Sequence, residues 1–429
     1  MPNTSPTAEP ASIAPAVAAA APAPVGRGTI VLLMTAIFGG SVATIVPMAF
    51  TLALRLDQLA PGGEELLGYV LAANAISQLI ATPLTGILSD RTRTRWGRRR
   101  PYTVGGLVLG IASVPIMIYA TTVPALAAGW VLTSLGFGTA LGSVGSFQAD
   151  RLPQHQRGKV SGLAGMTMQT APVAGVLLAG AVSQDQVLVF LLPALAGVLG
   201  LLAFVVFIPE MDSRHLRPPS PLSTGALLRS FGFNPRRFPD FAWNWLGRFI
   251  FFIGISFTTS YTSFFYAQRL GLPVAQVVTV VATVSGLSVL GAMGGSMTGG
   301  WLSDRFQRRR PFIFLGAAVY AAAAVVLALS WGMPMLLVGG FLNTCGIAMF
   351  SAVNQAMVLD ILPDRENQAG RFMAITTFSQ KIPSALGPVA APLILAAGQQ
   401  ANYTSLYLSA AGLALAGGLL IATKVRGVR

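Results

Sequence analysis

The sequence predicts an all-α membrane protein of twelve spans in two related six-helix halves, on three observations: an apolar composition, twelve long apolar stretches, and a loop pattern that occurs twice. Hydrophobic residues make up 53% of the 429 residues and charged residues only 10%, too few to coat a soluble protein of this length. Hydrocarbon is the solvent that fits. The formal charge of +14 would suit nucleic acid if it formed one surface. Instead the cations sit in short clusters between apolar stretches, the pattern by which a membrane protein fixes its orientation, so nucleic acid is not an expected partner. The single cysteine, Cys345, lies in an apolar run and reads as a packing residue.

A helix needs about 20 apolar residues to cross the hydrocarbon, because each residue rises about 1.5 Å and no backbone group can stay unpaired there. The first six qualifying stretches are Thr29–Leu54, Leu66–Leu88, Tyr102–Ala120, Pro124–Phe147, Val160–Val182 and Val187–Ile208. After a polar segment follow Phe241–Tyr266, Val274–Leu302, Phe312–Trp331, Pro334–Leu359, Phe372–Ala396 and Tyr403–Ala422. With this assignment 24 of the 28 Lys and Arg fall on one side. Positive charge stays cytoplasmic, so the expectation is an inner-membrane protein with both termini in the cytosol. Arg55 and Arg269 fall opposite, and Arg248 and Lys381 lie inside spans.

Residues 1–26 are Ala/Pro-rich without the basic start of a secretory signal and read as a disordered cytoplasmic tail. Residues 27–208 form the first bundle, 209–240 a cytoplasmic linker rich in Pro, Arg and Ser, 241–423 the second bundle, and 424–429 a short tail. The histidines, His155 and His215, fall in loops without ligand spacing, no phosphate-binding loop is present, and no nucleophile–base pair converges. An enzyme is therefore not expected, nor any cofactor.

The two halves repeat each other. Gly86-Ile-Leu-Ser-Asp90-Arg91 is answered by Gly300-Trp-Leu-Ser-Asp304-Arg305, and Arg98-Arg99-Arg100-Pro101 by Arg308-Arg309-Arg310-Pro311. Further on, Asp150-Arg-Leu-Pro153 is answered by Asp360-Ile-Leu-Pro363, and Gln169-Thr-Ala-Pro172 by Gln380-Lys-Ile-Pro383. The offset is 214 residues before the loop and 210 or 211 after it. Parallel repeats of this kind place a binding site near the membrane midplane between the halves, which rock to open it to alternate sides.

The doubled G-x-L-x-D-R…R-R-R pattern resembles the signature loop of the major facilitator superfamily, and the likeness covers essentially the whole chain. It implies the major facilitator fold, a monomer among membrane lipids, and a cytoplasmic latch made in the outward-open state and broken when the protein turns inward. Asp90, Arg91, Arg98, Asp150, Arg157, Asp304, Arg305, Arg308 and Asp360 are the expected members of that latch. Physically, a carboxylate ending one helix is attracted to the positive N-terminus of the next, and the arginines suit carboxylates or anionic lipid heads.

Pro83-Leu-Thr-Gly-Ile-Leu-Ser-Asp-Arg-Thr-Arg-Thr-Arg-Trp-Gly-Arg-Arg-Arg-Pro-Tyr102 is similar to the corresponding loop of glycoside-pentoside-hexuronide:cation symporters and of sucrose transporters. The resemblance implies secondary transport of a sugar or glycoside, coupled to H⁺ or Na⁺. The bacterial symporters carry two aspartates four residues apart before the proline matching Pro83. Here those positions hold Gln78 and Thr82, while Asn74 and Gln78 lie one turn apart and offer oxygens. Efflux of an amphipathic compound is the alternative, because Ala171-Pro172-Val-Ala-Gly175 partly resembles a drug-antiporter motif.

Inside the spans, Lys381 is the sharpest signal, since an ammonium near mid-bilayer requires a partner or water. It is expected to contact substrate or coupling ion, or else to pair with helix-end carbonyls or Asp360, and to form a polar seam with Gln380 and the repeat-matched Gln169. Arg248 is expected to snorkel back to the interface. Gln148, Asn343, Asn354 and Gln355 are cavity candidates, because the resemblance places spans 1, 4, 7 and 10 around the path. Tyr261, Phe264, Phe265 and Tyr266 read as an interfacial belt, with Tyr261 also a platform for sugar stacking. Proline and glycine in spans 5 and 11, among them Pro172, Gly175, Pro383, Gly387 and Pro388, are expected to bend them and allow close packing.

Overall fold

Long helices account for nearly all of the described chain. The computed structural model describes residues 25–63, 65–210, 212–214, 233–361, 363, 369–396 and 402–427. The first half holds α1 (Arg27–Leu59), α2 (Glu65–Arg91), α3 (Arg100–Ile118), α4 (Val123–Arg151), α5 (Gln154–Ala181) and α6 (Leu188–Phe207). The second holds α7 (Pro239–Ser260, resumed as Thr262–Leu270), α8 (Val278–Arg305), α9 (Arg310–Ala328), α10 (Met333–Asp360), α11 (Ala369–Leu395) and α12 (Tyr403–Lys424). Each predicted span falls on one of these helices, and among the described residues there is no strand. Ten are long and apolar enough to cross a membrane, and α7 makes eleven if its two pieces, bent by 54°, count as one span. The 27-residue α11 is also long enough, but Gln380, Lys381 and three prolines leave it less apolar than its neighbours.

Two local departures from regular helix were not legible in the sequence. In α1 a π-helical turn occupies Pro47–Thr51, where the missing proline N–H interrupts the regular ladder. In α7 the break falls at Tyr261, with φ −117° and ψ 18°.

Within each half the helices pack through small residues, which let backbones approach where lipid provides no hydrophobic drive. A Cβ on Gly39 of α1 would sit 2.2 Å from the Ala196 carbonyl of α6, and one on Gly295 of α8 would sit 2.2 Å from the Cys345 carbonyl of α10. Cys345 is thus a packing residue on a tight helix pair. The glycines of the proline-rich helices behave likewise, Gly175 lying against Val42 and Val46, and Gly387 against Ser256. α5 and α11 nevertheless run unbroken through Pro172 and Pro383.

Across the halves, α2 packs on α11 and α5 on α8. These contacts gather at the end away from the arginine-rich loops. There Gly68 of α2 abuts the Tyr261 hydroxyl and the Pro388 carbonyl, Gly180 of α5 abuts Val278 of α8, and the Ser263 hydroxyl donates to the Ala49 carbonyl at 2.6 Å. Toward mid-depth the contact loosens, a Cβ on Gly286 lying 3.9 Å from Val173. The four aromatic residues predicted as an interfacial belt are all buried here, and Phe265 stacks on Tyr407 with centroids 4.2 Å apart. The belt reading is corrected: these rings fill the core where the halves close, because the bend in α7 turns its last two turns inward.

The same end explains the two cations on the wrong side of the charge count. Arg55 donates to the Ala120 carbonyl at 2.8 Å, and Arg269, 214 residues later, donates to the Ala328 carbonyl at 2.7 Å. Each therefore caps the C-terminal end of the third helix of its half, where unpaired carbonyls attract a cation.

Candidate functional site

At the basic end the repeated loops build the same clamp twice. After α2, Arg99 donates to the Ser89 hydroxyl and pairs with Asp90 at 2.6 Å. After α8, Arg309 donates to the Ser303 hydroxyl at 2.8 Å and pairs with Asp304. In both copies the middle arginine of the triplet makes the pair, because it stands at the N-cap of the following helix and reaches back over one turn. Its neighbours Arg98 and Arg308 are the triplet members the sequence pattern points to. Asp360 joins the second clamp through Arg309 at 3.4 Å, while the side chains of Asp150 and Arg157 lie outside the described residues. Burial lowers the Arg309 pKa, but Asp304 and Asp360 outweigh it and the net shift is upward. Arg305 lies over the Trp301 ring at 5.4 Å.

Glu210, just past α6, was not anticipated. Its carboxylate accepts from the Arg99 and Arg100 backbone N–H groups at 3.0 and 2.7 Å, where the exposed amides of a helix start attract an anion. The Ser213 hydroxyl accepts from the Thr94 N–H at 3.0 Å, so the beginning of the linker is stitched to the first loop. Among the described residues, each ion pair of the two clamps stays within its own half.

The interior of the first half is neutral. Gln78 donates to the Ser134 carbonyl at 2.8 Å and to its hydroxyl at 2.9 Å, and Thr82 donates to Gln78 at 3.4 Å. Gln78 and Thr82 line a groove of about 110 Å³ between α2 and α4 with Thr85, Ser89, Thr139, Ser143 and Ser146. Hydroxyls and amides can hydrate a solute there, but no carboxylate lines the groove to hold a metal cation. Asn74 is half-buried, one turn away, and its carbonyl oxygen has no partner.

The interior of the second half carries charge. Arg248, 7% exposed, donates to Asn354 Oδ1 at 2.7 Å and to Gln380 Oε1 at 3.5 Å, and lies 5.1 Å over the Phe252 ring. The Asn354 amide donates in turn to Asn244 at 2.7 Å. Arg248 stands nine residues into α7, about 14 Å from the basic end. The snorkelling expectation is corrected: the guanidinium is drawn sideways to α10 and α11 because Asn354 offers an acceptor at its own depth.

Lys381 and Gln380 are exposed on α11, and Lys381 makes no ion pair among the described residues; Asp360, its alternative partner, is engaged by Arg309. Gln169 is exposed on α5, and no hydrogen bond among the described residues joins it to Gln380 or Lys381. Of the cavity candidates, Asn354 is buried in the arginine network, Gln355 is exposed, and Gln148 and Asn343 are half-buried. Tyr261 is fully buried, its hydroxyl donating to the Pro388 carbonyl at 3.2 Å, which leaves no open face for stacking.

Comparison with known proteins agrees with this architecture. The chain is 39% identical over 71 residues to an uncharacterized symporter of Synechocystis sp., covering 17% of this chain and 13% of that one. It is 29% identical over 102 residues to the sucrose transport protein SUT1 of Oryza sativa subsp. japonica, covering 24% of this chain and 18% of that one. The aligned segments thus span less than a fifth of either relative. Among solved structures, the nucleoside transporter NupG superposes with a TM-score of 0.73 at 12% identity over 92% of this chain and 98% of its own. The D-xylose-proton symporter superposes with a TM-score of 0.69 at 16% identity over 93% and 97%. The sequence profile of the Major Facilitator Superfamily matches residues 28–295 and 278–427. Two six-helix halves, each with its own loop clamp, are accordingly those of a transporter, and the chain belongs to the major facilitator superfamily.

Proposed function

We propose that this transporter moves a small polar solute, a sugar or glycoside, across the inner membrane by alternating access. The basic end faces the cytosol, following the charge distribution of the loops. The observation that carries the reading is where the halves pack: at Gly68, Tyr261 and Pro388 and at Gly180 and Val278, away from the basic loops, with the contact loosening toward mid-depth at Gly286. This is the contact pattern of an inward-open state, in which the polar side chains at mid-depth are reached from the cytosol.

The sugar or glycoside class rests on the loop around Asp90 and on the likeness to carriers named for sucrose, xylose and nucleosides, a nucleoside being itself an N-glycoside. Coupling to H⁺ or Na⁺ through α2 is not part of the proposal, since Gln78 and Thr82 fill the groove with neutral groups.

The test is uptake of labelled sugars, glycosides and nucleosides by proteoliposomes, with and without a pH or Na⁺ gradient. Saturable uptake of one class above that of empty liposomes is the expected result. Uptake limited to amphipathic compounds would overturn the reading and put efflux in its place. Orientation has its own check: in a Cys345→Ser background, Gln380→Cys should react with a membrane-impermeant maleimide from the cytosolic side.

A further inference from the structure

We infer that the transported solute carries a negative charge, a carboxylate held by Arg248 and Lys381; this deepens the transporter reading above and rests on it. The second half keeps two cations at mid-depth, Arg248 and Lys381, that have no carboxylate partner among the described residues. Lys381 stands twelve residues into α11, about 18 Å from the basic end, and is exposed beside Gln380. Arg248 is more buried, and the edges of its guanidinium are used unequally.

Nη1 makes the short bond to Asn354, whose amide is itself oriented by Asn244. The Nε–Nη2 edge is the fork that takes a carboxylate through two parallel bonds. Along that edge Nε is buried with no partner, and Nη2 has only the long 3.5 Å contact to Gln380 Oε1. Asn244, Asn354 and Gln380 are neutral, so nothing in this network cancels the charge.

The described acidic residues elsewhere are committed or distant. Asp90, Asp304 and Asp360 belong to the clamps, Asp240 accepts from the Arg426 and Gly427 backbone, and Asp57 and Asp185 lie toward the opposite end. A buried guanidinium is costly without a counter-ion, and here the missing counter-ion is one that arrives and leaves. A carboxylate entering beside Lys381 displaces the Gln380 amide, completes the fork and removes the unsatisfied Nε in one step. The polyhydroxylated body of such a solute then faces the hydroxyl-lined groove of α2 and α4.

The experiment compares matched acid and neutral solutes on the purified full-length protein, by thermal stabilisation and by proteoliposome uptake: gluconate with sorbitol, galacturonate with galactose, lactate with glycerol. The acid members are expected to stabilise and to be taken up, and the neutral members not. Lys381→Gln, at an exposed position that leaves packing intact, should raise the half-saturating acid concentration at least tenfold. Gln380→Ala should lower it by uncovering the fork. Neutral members acting as well as the acids, unchanged in Lys381→Gln, would overturn the anion inference while leaving a polar-solute carrier standing. Preference for glucose 6-phosphate over every carboxylate, or silence of all the acids, would also overturn it. Silent acids with neutral sugars taken up would overturn the anion inference alone, whereas silence of acids and neutral sugars together would overturn the polar-solute carrier reading as well.

Discussion

The two repeated loops share a clamp and differ in how their turn is made. Gly97, at φ 87°, and Gln307, at φ 50°, stand 210 residues apart at the same left-handed corner. Glycine enters that region without strain, and a side chain does so at a cost. The first loop requires glycine for a second reason: a Cβ on Gly97 would lie 2.3 Å from the Glu210 side chain. In the second loop Gln307 is tolerated and donates back to the Asp304 carbonyl at 2.6 Å. One copy is thus braced by the linker through Glu210 and the other through Asp360. The arginine clamp is the common device, and its bracing is particular to each half.

The largest expected effect that would break this comparison is at Gly97. Gly97→Ala combines left-handed strain with a clash and should destabilise the protein by about 2–3 kcal/mol, read as a fall in melting temperature. Gln307→Gly should stabilise it by up to about 1 kcal/mol; equal losses at the two corners would sink the distinction. At the opposite end, Gly68→Val pushes against Tyr261 and Pro388 and should disfavour the closed contact by about 1–3 kcal/mol. Its readout is lower maleimide reactivity at Gln380→Cys from the basic side, and undiminished reactivity would count against closure at this end.

Glu210→Ala removes the acceptor for the α3 start and should cost about 1–2 kcal/mol, with no equivalent loss available in the second loop. Asp90→Asn and Asp304→Asn should each cost at most about 1 kcal/mol, because both carboxylates are more than half exposed. The Asp304 variant should lose less, since Asp360 keeps a hold on Arg309. A transport defect far larger than the stability loss would assign the clamps a role in the conformational cycle.

The interiors diverge further than the loops. Lys381 stands 211 residues after Thr170, and the polar Arg248–Asn354–Asn244 set has no charged counterpart in α1 or α4 at the repeat spacing. Gate-like features were legible because a repeated polar loop stands out between apolar spans. The α11 lysine was legible for the same reason. That Arg99 and Arg309 reach back to Asp90 and Asp304 was not, since all three arginines of a triplet look alike until the N-cap of the next helix is placed. Arg248 was misread because reach along a helix can be counted from sequence, whereas the acceptors Asn354 and Gln380 are brought within reach only by α10 and α11. Buried Tyr261 and its aromatic neighbours were misread because a 54° bend changes which way a terminal turn faces.

Composition, span length, charge asymmetry and the internal repeat determined the membrane class, the two halves and the family, because each follows from the solvent the chain must live in and from its one-dimensional order. Tertiary structure alone decided where the halves pack on each other, which arginine stands at the N-cap of each clamp, and that among the described residues Arg248 and Lys381 meet no carboxylate. Those properties depend on helices hundreds of residues apart arriving at the same depth, and distance between side chains on different helices has no linear code.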